Sequence, residues 1–485
     1  MTKQAQEDEK IASISLKDFA DTNYHDYGVA TLEDRAIPDY RDGMLPVNRR
    51  LLWTAHTLGL SHKHKFVKSA LVVGTCLGKF HPHSDVGCYK SLVGMSPTKV
   101  PIGLIDIAGN WGSMSEPNFA AMRYTETRLS NFSDQVLFDR FYLAVTEHVP
   151  NYDGSLQEPV VLPALLPVVL LNGRSGIATG ATTYVPKITP SSLLKAIQYS
   201  LSNELDAKYL NKTLEFTTTN GGKEIPSEDV EVQNARKKLF KSSTGSVCFR
   251  STMTFNEKTR CISVTKFAEV PAMESLLGKL QSLEGVSDAR DDSTKNDRYA
   301  TVSIFLKKAD EAKLKKVIKS VKKVLSSKEN YVLTFTERYV DKIGQGAATL
   351  CSMSLVDTLN KWKTWRLQLE VKASGYWAAK AQTQIDYLEL LCLAVDNRKL
   401  IIESLDKDCS QKELEIWLSK KLKITETQAA IIYDLKVKQL RKLEKNDLQT
   451  QIKEVQKQKA LLLKRVKDPA SFVVTQIEEF TKLFN

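Results

Sequence analysis

Hydrophobic and polar positions change their rhythm several times along this chain. At 314, 317, 318, 321, 324 and 325 apolar residues recur at the spacing of one helix face, and Lys313, Lys315, Lys316, Lys319, Lys322 and Lys323 fill the other. A solvated helix face is a simpler account of those lysines than a nucleic-acid track. Residues 354–403 hold no proline and a single glycine, Gly375. A continuous helix of about 50 residues would be roughly 75 Å long, so it needs a partner helix along its length. Residues 443–466 supply a returning helix, stopped by Asp468-Pro469. Residues 422–440 read as a compact helical knot between the two, giving a long antiparallel coiled-coil arm with a globular tip.

Three other textures precede that arm. Residues 16–151 are dense in Gly, His, Arg and aromatic residues, with short helices and turns. Residues 152–180 are apolar and rich in Pro and Gly, the mark of a buried, turn-punctuated strand region. Residues 186–344 alternate strands and helices, with strands expected at 247–253 and 299–306. The boundaries expected are an N-terminal arm over 1–30, then units at 31–151, 152–344 and 345–485. The fold class expected is α+β, mostly helical.

A length of 485 residues exceeds one comfortable core and implies two to four domains. The net charge of +12 points towards a polyanionic partner such as nucleic acid, weakly on its own. Residues 1–10 are polar and mixed in charge, unlike a secretory signal. The longest apolar run, 160–171, is too short to span a bilayer and is broken by Pro163 and Pro167, so no membrane partner is expected. The seven cysteines lie far apart with no CxxC pair, which suits reduced thiols and a cytoplasmic location.

The chemistry is concentrated between 35 and 129. Residues 35–53 read RAIPDYRDGMLPVNRRLLW, a run carrying Arg35, Arg41, Arg49 and Arg50. Residues 65–95 place two short apolar helices about a turn at His81-Pro82-His83, the helix-turn-helix order that inserts a helix into a DNA groove. Residues 109–129, GNWGSMSEPNFAAMRYTETRL, form a glycine-punctuated loop running into Arg123-Tyr124. Three rival readings are set aside. His62, His64, His81 and His83 lack the Cys or carboxylate partners of a metal site, so no metal is assigned to this chain. Lys79 follows Gly74 and Gly78 one residue short of a phosphate loop. The acidic run at 284–292 reads as structural. Taken alone, Ile177 reads as a buried turn residue, and Tyr124 as a surface tyrosine.

The runs RAIPDxRDGxxPVxRRLL, KSAxVVGxxxGKxHPHxD, GNxGS and AMRYTExRL resemble, in order and spacing, the A subunit of type IIA DNA topoisomerases (gyrase and topoisomerase IV). The resemblance continues through the PNYDGSxxEPxxLP and SGIATG runs, EGVSDARDDS at 284–293 and ITETQAAIIYDLKVKQLRKLE at 424–444. Because no DNA-wrapping domain follows the returning helix, the chain looks most like the medium subunit of a bacteriophage enzyme, in the cytoplasm of its host and associated with the nucleoid. The resemblance implies a winged-helix DNA gate over 31–151, a tower over 152–344 and a coiled-coil arm whose tip dimerises. It implies that Tyr124 attacks a DNA phosphate to leave a 5′-phosphotyrosine, with Arg123 bracing the charge that develops. An ordinary phenol has a pKa of about 10, so such help is required. Arg35, Arg49, Arg50, Lys68 and Ser69 are then expected to hold the DNA backbone, and His81 and His83 to lie near the scissile phosphate. Ile177 becomes an apolar wedge between base pairs. Mg²⁺ and ATP are expected on a separate ATPase/TOPRIM subunit, completing a heterotetramer with two copies of this chain on double-stranded DNA that relaxes or decatenates it. Leu45, Asn48 and Ser84 depart from the family pattern, Ser84 in a way expected to tighten its turn. The alternative is a non-catalytic architectural DNA-binding protein built on the same helix-turn-helix and arm.

Overall fold

The computed structural model describes residues 15–17, 19–20, 23, 35–178, 180–225, 230–294, 299–405, 410–435 and 444–484. Most of the expected arm at 1–30, Cys409 and the stretch 436–443 lie outside the described residues. The fold is α+β as expected, with helix outweighing strand. The chain divides into two compact units, residues 1–365 with 477–485, and residues 366–476.

In the first unit two carboxylates shape the chain before the first long helix. Asp39 accepts from the backbone N–H of Arg41 at 3.0 Å and Asp42 from that of Met44 at 2.9 Å, closing the 39–44 turn. Pro46 then opens helix α1 (Pro46–Thr57), where its missing N–H costs nothing. Helices α2 (Ser69–Lys79) and α3 (Asp85–Val93) pack on α1 and on each other. Their buried faces carry Leu51, Leu52, Val72, Val73, Cys88 and Leu92. Between α2 and α3 the Ser84 hydroxyl accepts from the Gly87 N–H at 3.3 Å and caps α3. Beside the helices lies an antiparallel sheet of β1 (Val67–Lys68), β2 (Ile105–Ala108) and β3 (Glu126–Leu129), with β3 in the middle.

The apolar stretch after residue 152 is buried as expected but is only partly strand. Strand β4 (His148–Pro150) pairs with β5 (Gln157–Pro159). Residues Val168–Asn172 form a short helix instead, because Pro167 cannot donate into a strand ladder and its fixed φ favours a helix start. Strands β6 (Arg174–Ala178) and β7 (Ala181–Val185) form a hairpin at the edge of a seven-stranded sheet. A second, four-stranded sheet (Thr252–Asn256, Cys261–Lys266, Val302–Leu306, Val286–Asp291) is covered by helices Met273–Gln281 and Glu311–Val324. The strand expected at 247–253 is two strands, parted at Ser251, whose N–H leaves the ladder to donate to Leu325 O at 2.9 Å. Helix Glu311–Val324 buries Val321 and exposes the six lysines.

In the longest described helix, Leu355–Asp396, 42 residues run without a break. It stops short of the expected end at 403 and resumes as Arg398–Leu405. In the second unit, Ala381, Ile385, Leu388 and Leu391 of this helix share a core with Leu448 and Val455 of the returning helix Lys445–Lys467. Helices Gln411–Leu422 and Glu426–Tyr433 begin at Ser410 and Thr425, each closed by a reciprocal capping box. They join Leu390, Ala394 and Ile401 in a separate small core. A further helix, Pro469–Thr481, was not anticipated from the sequence.

Candidate active site and nucleic-acid interface

Tyr124 ends a turn, residues 121–124, that is pinned to the start of α2. The N–H groups of Ser69 and Ala70 donate to Thr125 O at 3.0 Å and Met122 O at 3.2 Å, so two amides a helix would leave unpaired hold the tyrosine's turn. Tyr89 of α3 reaches the same place: its hydroxyl hydrogen-bonds Ala120 O and Thr125 Oγ1, both at 2.8 Å. Thr125 in turn donates to Ser69 Oγ at 2.8 Å. Gly109 sits at φ +92°, and a Cβ there would lie 3.2 Å from Tyr124 O, so the strand beside the turn needs glycine. The result is a fixed backbone carrying a free side chain. Tyr124 is 62% exposed, and the Arg123 guanidinium lies 4.8 Å over its ring centroid. Among the described residues no hydrogen bond occupies the phenol hydroxyl.

A second cluster surrounds the turn between α2 and α3. The Arg50 guanidinium grips the Glu158 carboxylate through Nε at 2.8 Å and one terminal nitrogen at 2.7 Å. Its other terminal nitrogen lies 3.2 Å from His81 Nδ1. Arginine can only donate, so Nδ1 accepts and the His81 proton resides on Nε2. Burial, then the charges of Arg50, His83 and Arg35, hold the His81 imidazole down at about 4. His81 is therefore a neutral hydrogen-bond donor at physiological pH. His83 packs edge-on against it, with ring centroids 4.5 Å apart. Asn151 and Tyr152 secure the end of α2, donating to Lys79 O at 2.6 Å and Gly78 O at 2.9 Å.

Two of the expected backbone contacts are placed differently. Arg49 is buried, held by Asp42 at 2.7 Å with side-chain exposures of 4% and 0%. Ser69 is also buried, its hydroxyl engaged by Thr125. Neither side chain reaches the surface, so each shapes the site from beneath and neither is free to touch a phosphate. The reason is local: the arginine run has carboxylates within its own turn, and Ser69 starts a helix directly after β1, where its hydroxyl meets Thr125. Arg35, His83 and Arg123 are exposed, and Lys68 is exposed in a surface pair with Glu126 at 2.8 Å. Ile177, which alone reads as a buried turn residue, is 85% exposed near the tip of the β6–β7 hairpin, opposite Thr182. The structure brings Arg35, Arg50, His81 and His83 together, and separately Arg123 with Tyr124. A cavity of about 1270 Å³, lined by Arg236, Lys266 and Phe484 among others, includes none of these residues.

Residues 35–481 match the family model for the DNA gyrase/topoisomerase IV A subunit. The chain belongs to that family. The A subunit of DNA topoisomerase 4 from Escherichia coli K12 is 31% identical over 456 residues, covering 92% of this chain and 58% of that protein. The corresponding topoisomerase 4 chain of Haemophilus influenzae is 30% identical, covering 93% and 59%. The DNA gyrase A subunit of Helicobacter pylori J99 is 29% identical, covering 91% and 52%. This chain thus spans a little over half the length of these relatives.

Within this gyrase/topoisomerase IV family chain, sequence reasoning passed over three residues that organise the site. Glu158 stands in the EPxxLP run, yet nothing in sequence joins it to Arg50, 108 residues away. Tyr89 and Thr125 are ordinary apolar-face and strand positions in the pattern. Only their hydroxyls, meeting at 2.8 Å, reveal the brace beneath Tyr124.

Proposed function

We propose that this chain is the DNA breakage-reunion subunit of an ATP-dependent type IIA topoisomerase. The Tyr124 oxygen forms a bond to a backbone phosphorus while the bond from that phosphorus to the 3′ oxygen breaks. The phenolic proton is lost and the leaving 3′ oxygen gains one, which leaves a 5′-phosphotyrosine and a free 3′ hydroxyl. One phosphodiester replaces another, so resealing is the same exchange in reverse. The observation that carries this reading is the exposed, unengaged Tyr124 on a backbone fixed by Ser69, Thr125 and Tyr89, with the Arg123 guanidinium against its ring. From there Arg123 can swing onto a phosphorane oxygen. His81, neutral with its proton on Nε2, serves as a donor to phosphate or base and not as the general base. Ile177 is the wedge that opens a base step, and Arg35, Arg50, Lys68 and His83 face the backbone.

In this reading two copies of the chain cut opposite strands with twofold symmetry, through a winged-helix gate, and the paired long helices form a coiled-coil arm. Among the described residues no three His, Cys, Asp or Glu side chains converge as a metal site. On the family resemblance, Mg²⁺ and ATP are assigned to a separate ATPase/TOPRIM subunit, and no step above runs through them. The test mixes the full chain with that ATPase partner, adds duplex DNA and quenches with detergent. Protein-linked 5′ ends are expected from the wild type and none from Tyr124→Phe, with duplex binding kept. Adducts persisting in Tyr124→Phe would overturn the assignment, and their absence from both proteins would favour a purely architectural DNA binder.

A further inference from the structure

A cleft of about 370 Å³ lies between α3, the loop after it and the β6–β7 hairpin. Lys90, Lys99, Arg174 and Lys187 line it, and no carboxylate does. Lys187 is answered by Glu269 at 3.0 Å. Lys90 and Lys99 have no ion pair among the described residues, and burial holds the Lys99 ammonium below its usual range. Arg174 is the most telling of the four. Its guanidinium is largely withdrawn from water and donates to Asn48 Oδ1, while its Nε is buried without any hydrogen-bond partner. The nearest carboxylate, Asp42, is already bonded by Arg49, so it offsets only part of the burial that pulls the Arg174 guanidinium down to about 10, and leaving one of its donors unused adds to the cost. Two lysines without an ion pair and an arginine with an unused donor, around a concave space, describe a seat for a phosphate-sized anion.

Its place in the fold says which anion. Arg174 begins the strand that carries Ile177 three residues on, a span of about 10 Å. Arg174 and Ile177 alternate onto opposite faces of that strand, and a duplex strand presents a phosphate about every 3.4 Å of axis, so the cleft is offered to backbone flanking the opened step and not to the step itself. We propose that the cleft formed by Lys90, Lys99 and Arg174 seats a DNA backbone phosphate a few steps from the Ile177 wedge. Arg174 then supplies the directed contact, and the two lysines supply charge. This rests on the reading of the chain as a DNA-cleaving subunit, but its test is separate from that of the nucleophile.

The full chain is titrated with duplex DNA across a range of salt concentrations. Lys90→Gln with Lys99→Gln, and separately Arg174→Gln, should weaken binding about tenfold at low salt. Each should also lower the salt slope by about one per cleft. Arg174→Lys should restore part of the slope, and Lys258→Gln, an exposed cation of the four-stranded sheet, should leave it unchanged. Lys90 is exposed, so its single variant reports on the cleft even where Arg174→Gln unfolds. Slopes unchanged in all cleft variants, or lowered equally by Lys258→Gln, would overturn the proposal. So would a cleft that serves free phosphate only, read as inorganic phosphate raising the wild-type melting temperature but not that of Arg174→Gln, with DNA slopes unaltered. Covalent adduct formation by the wild type, measured alongside, separates failure of this site from failure of the enzyme reading.

Discussion

Replacing Arg49 with glutamine removes half of an ion pair that the fold has closed off from water. The Asp42 carboxylate receives Arg49 Nε at 2.7 Å and a terminal nitrogen at 3.0 Å. It also receives the N–H groups of Met44 and Leu162 at 2.9 and 3.0 Å. Without the guanidinium the carboxylate, at 0% exposure, keeps two amide donors but loses the cation bonded to it. Each lost charge-assisted hydrogen bond is worth about 1.5–3 kcal/mol, and breaking one side of a buried pair costs about 3–5 kcal/mol. The expected result is therefore a loss of about 3–5 kcal/mol in denaturant titrations of the full chain. The double variant Arg49→Met with Asp42→Asn should recover part of it, since no lone charge remains buried. Where Arg49→Gln is still folded, the salt slope of duplex binding should match the wild type. Intact stability with a slope lowered by about one would return Arg49 to the direct phosphate contacts and refute the structural role.

Other expectations follow from the same geometry. Glu158→Gln frees Arg50 from its bidentate partner and lets the His81 ring turn; cleavage of a duplex by the assembled enzyme should fall about 10- to 100-fold with binding nearly kept, and an unchanged cleavage rate would dismiss the Glu158 anchor. His81 is depressed to about 4 in the fold against 6.5 when free, so its neutral form is favoured and the unfolded chain binds more protons between those values. Its contribution is complete above pH 6.5 and is lost as pH falls towards 4. The ceiling is about 3 kcal/mol, reduced to roughly 1–2 by solvent screening of a half-buried ring. Melting curves of wild type and His81→Gln should converge as pH drops through that window, and parallel curves would contradict the neutral state. Ile177→Ala should leave stability within about 0.5 kcal/mol because the side chain is 85% exposed. It should nonetheless abolish most duplex bending seen by end-to-end energy transfer, and an unaltered bend would remove the wedge.

Legibility in the sequence followed the range of the interactions concerned. The helix face with Val321 inward and lysines outward, the long helix from 355 and its return at 445 are written in local periodicity. Motif order was enough to single out Tyr124 and the His81-Pro82-His83 turn. What stayed hidden depends on partners distant in the chain. Glu158 meets Arg50 across 108 residues, Asp42 meets Leu162 across 120, and Arg174 meets Asn48 across 126. Arg49 and Arg50 are adjacent and chemically identical in sequence. One faces a buried carboxylate from its own turn, and the other a half-exposed cluster built by a later hairpin. Exposure of Ile177 was unreadable from local pattern alone, because a hairpin tip and a buried turn share the same glycine-rich text, and only the family resemblance pointed to a wedge.

The count of 69 lysines and arginines overstates the cations a polyanion can meet. Arg41, Arg49 and Arg366 sit with Asp39, Asp42 and Glu370 in pairs whose charges cancel beyond a few ångströms. Such pairs set backbone geometry and contribute almost nothing to counterion release, which counts only the phosphates that cations neutralise. Lys68 belongs to a different class. Its pair with Glu126 leaves the two side chains 55% and 37% exposed, a contact worth little in water. A weak surface pair is cheap to open, so Lys68 can exchange Glu126 for a phosphate at small cost, whereas Arg49 could do so only by stranding Asp42. Burial therefore sorts the arginines and lysines of one short stretch into those closed inside the fold and those left free to meet an anion, a distinction their identities alone do not carry.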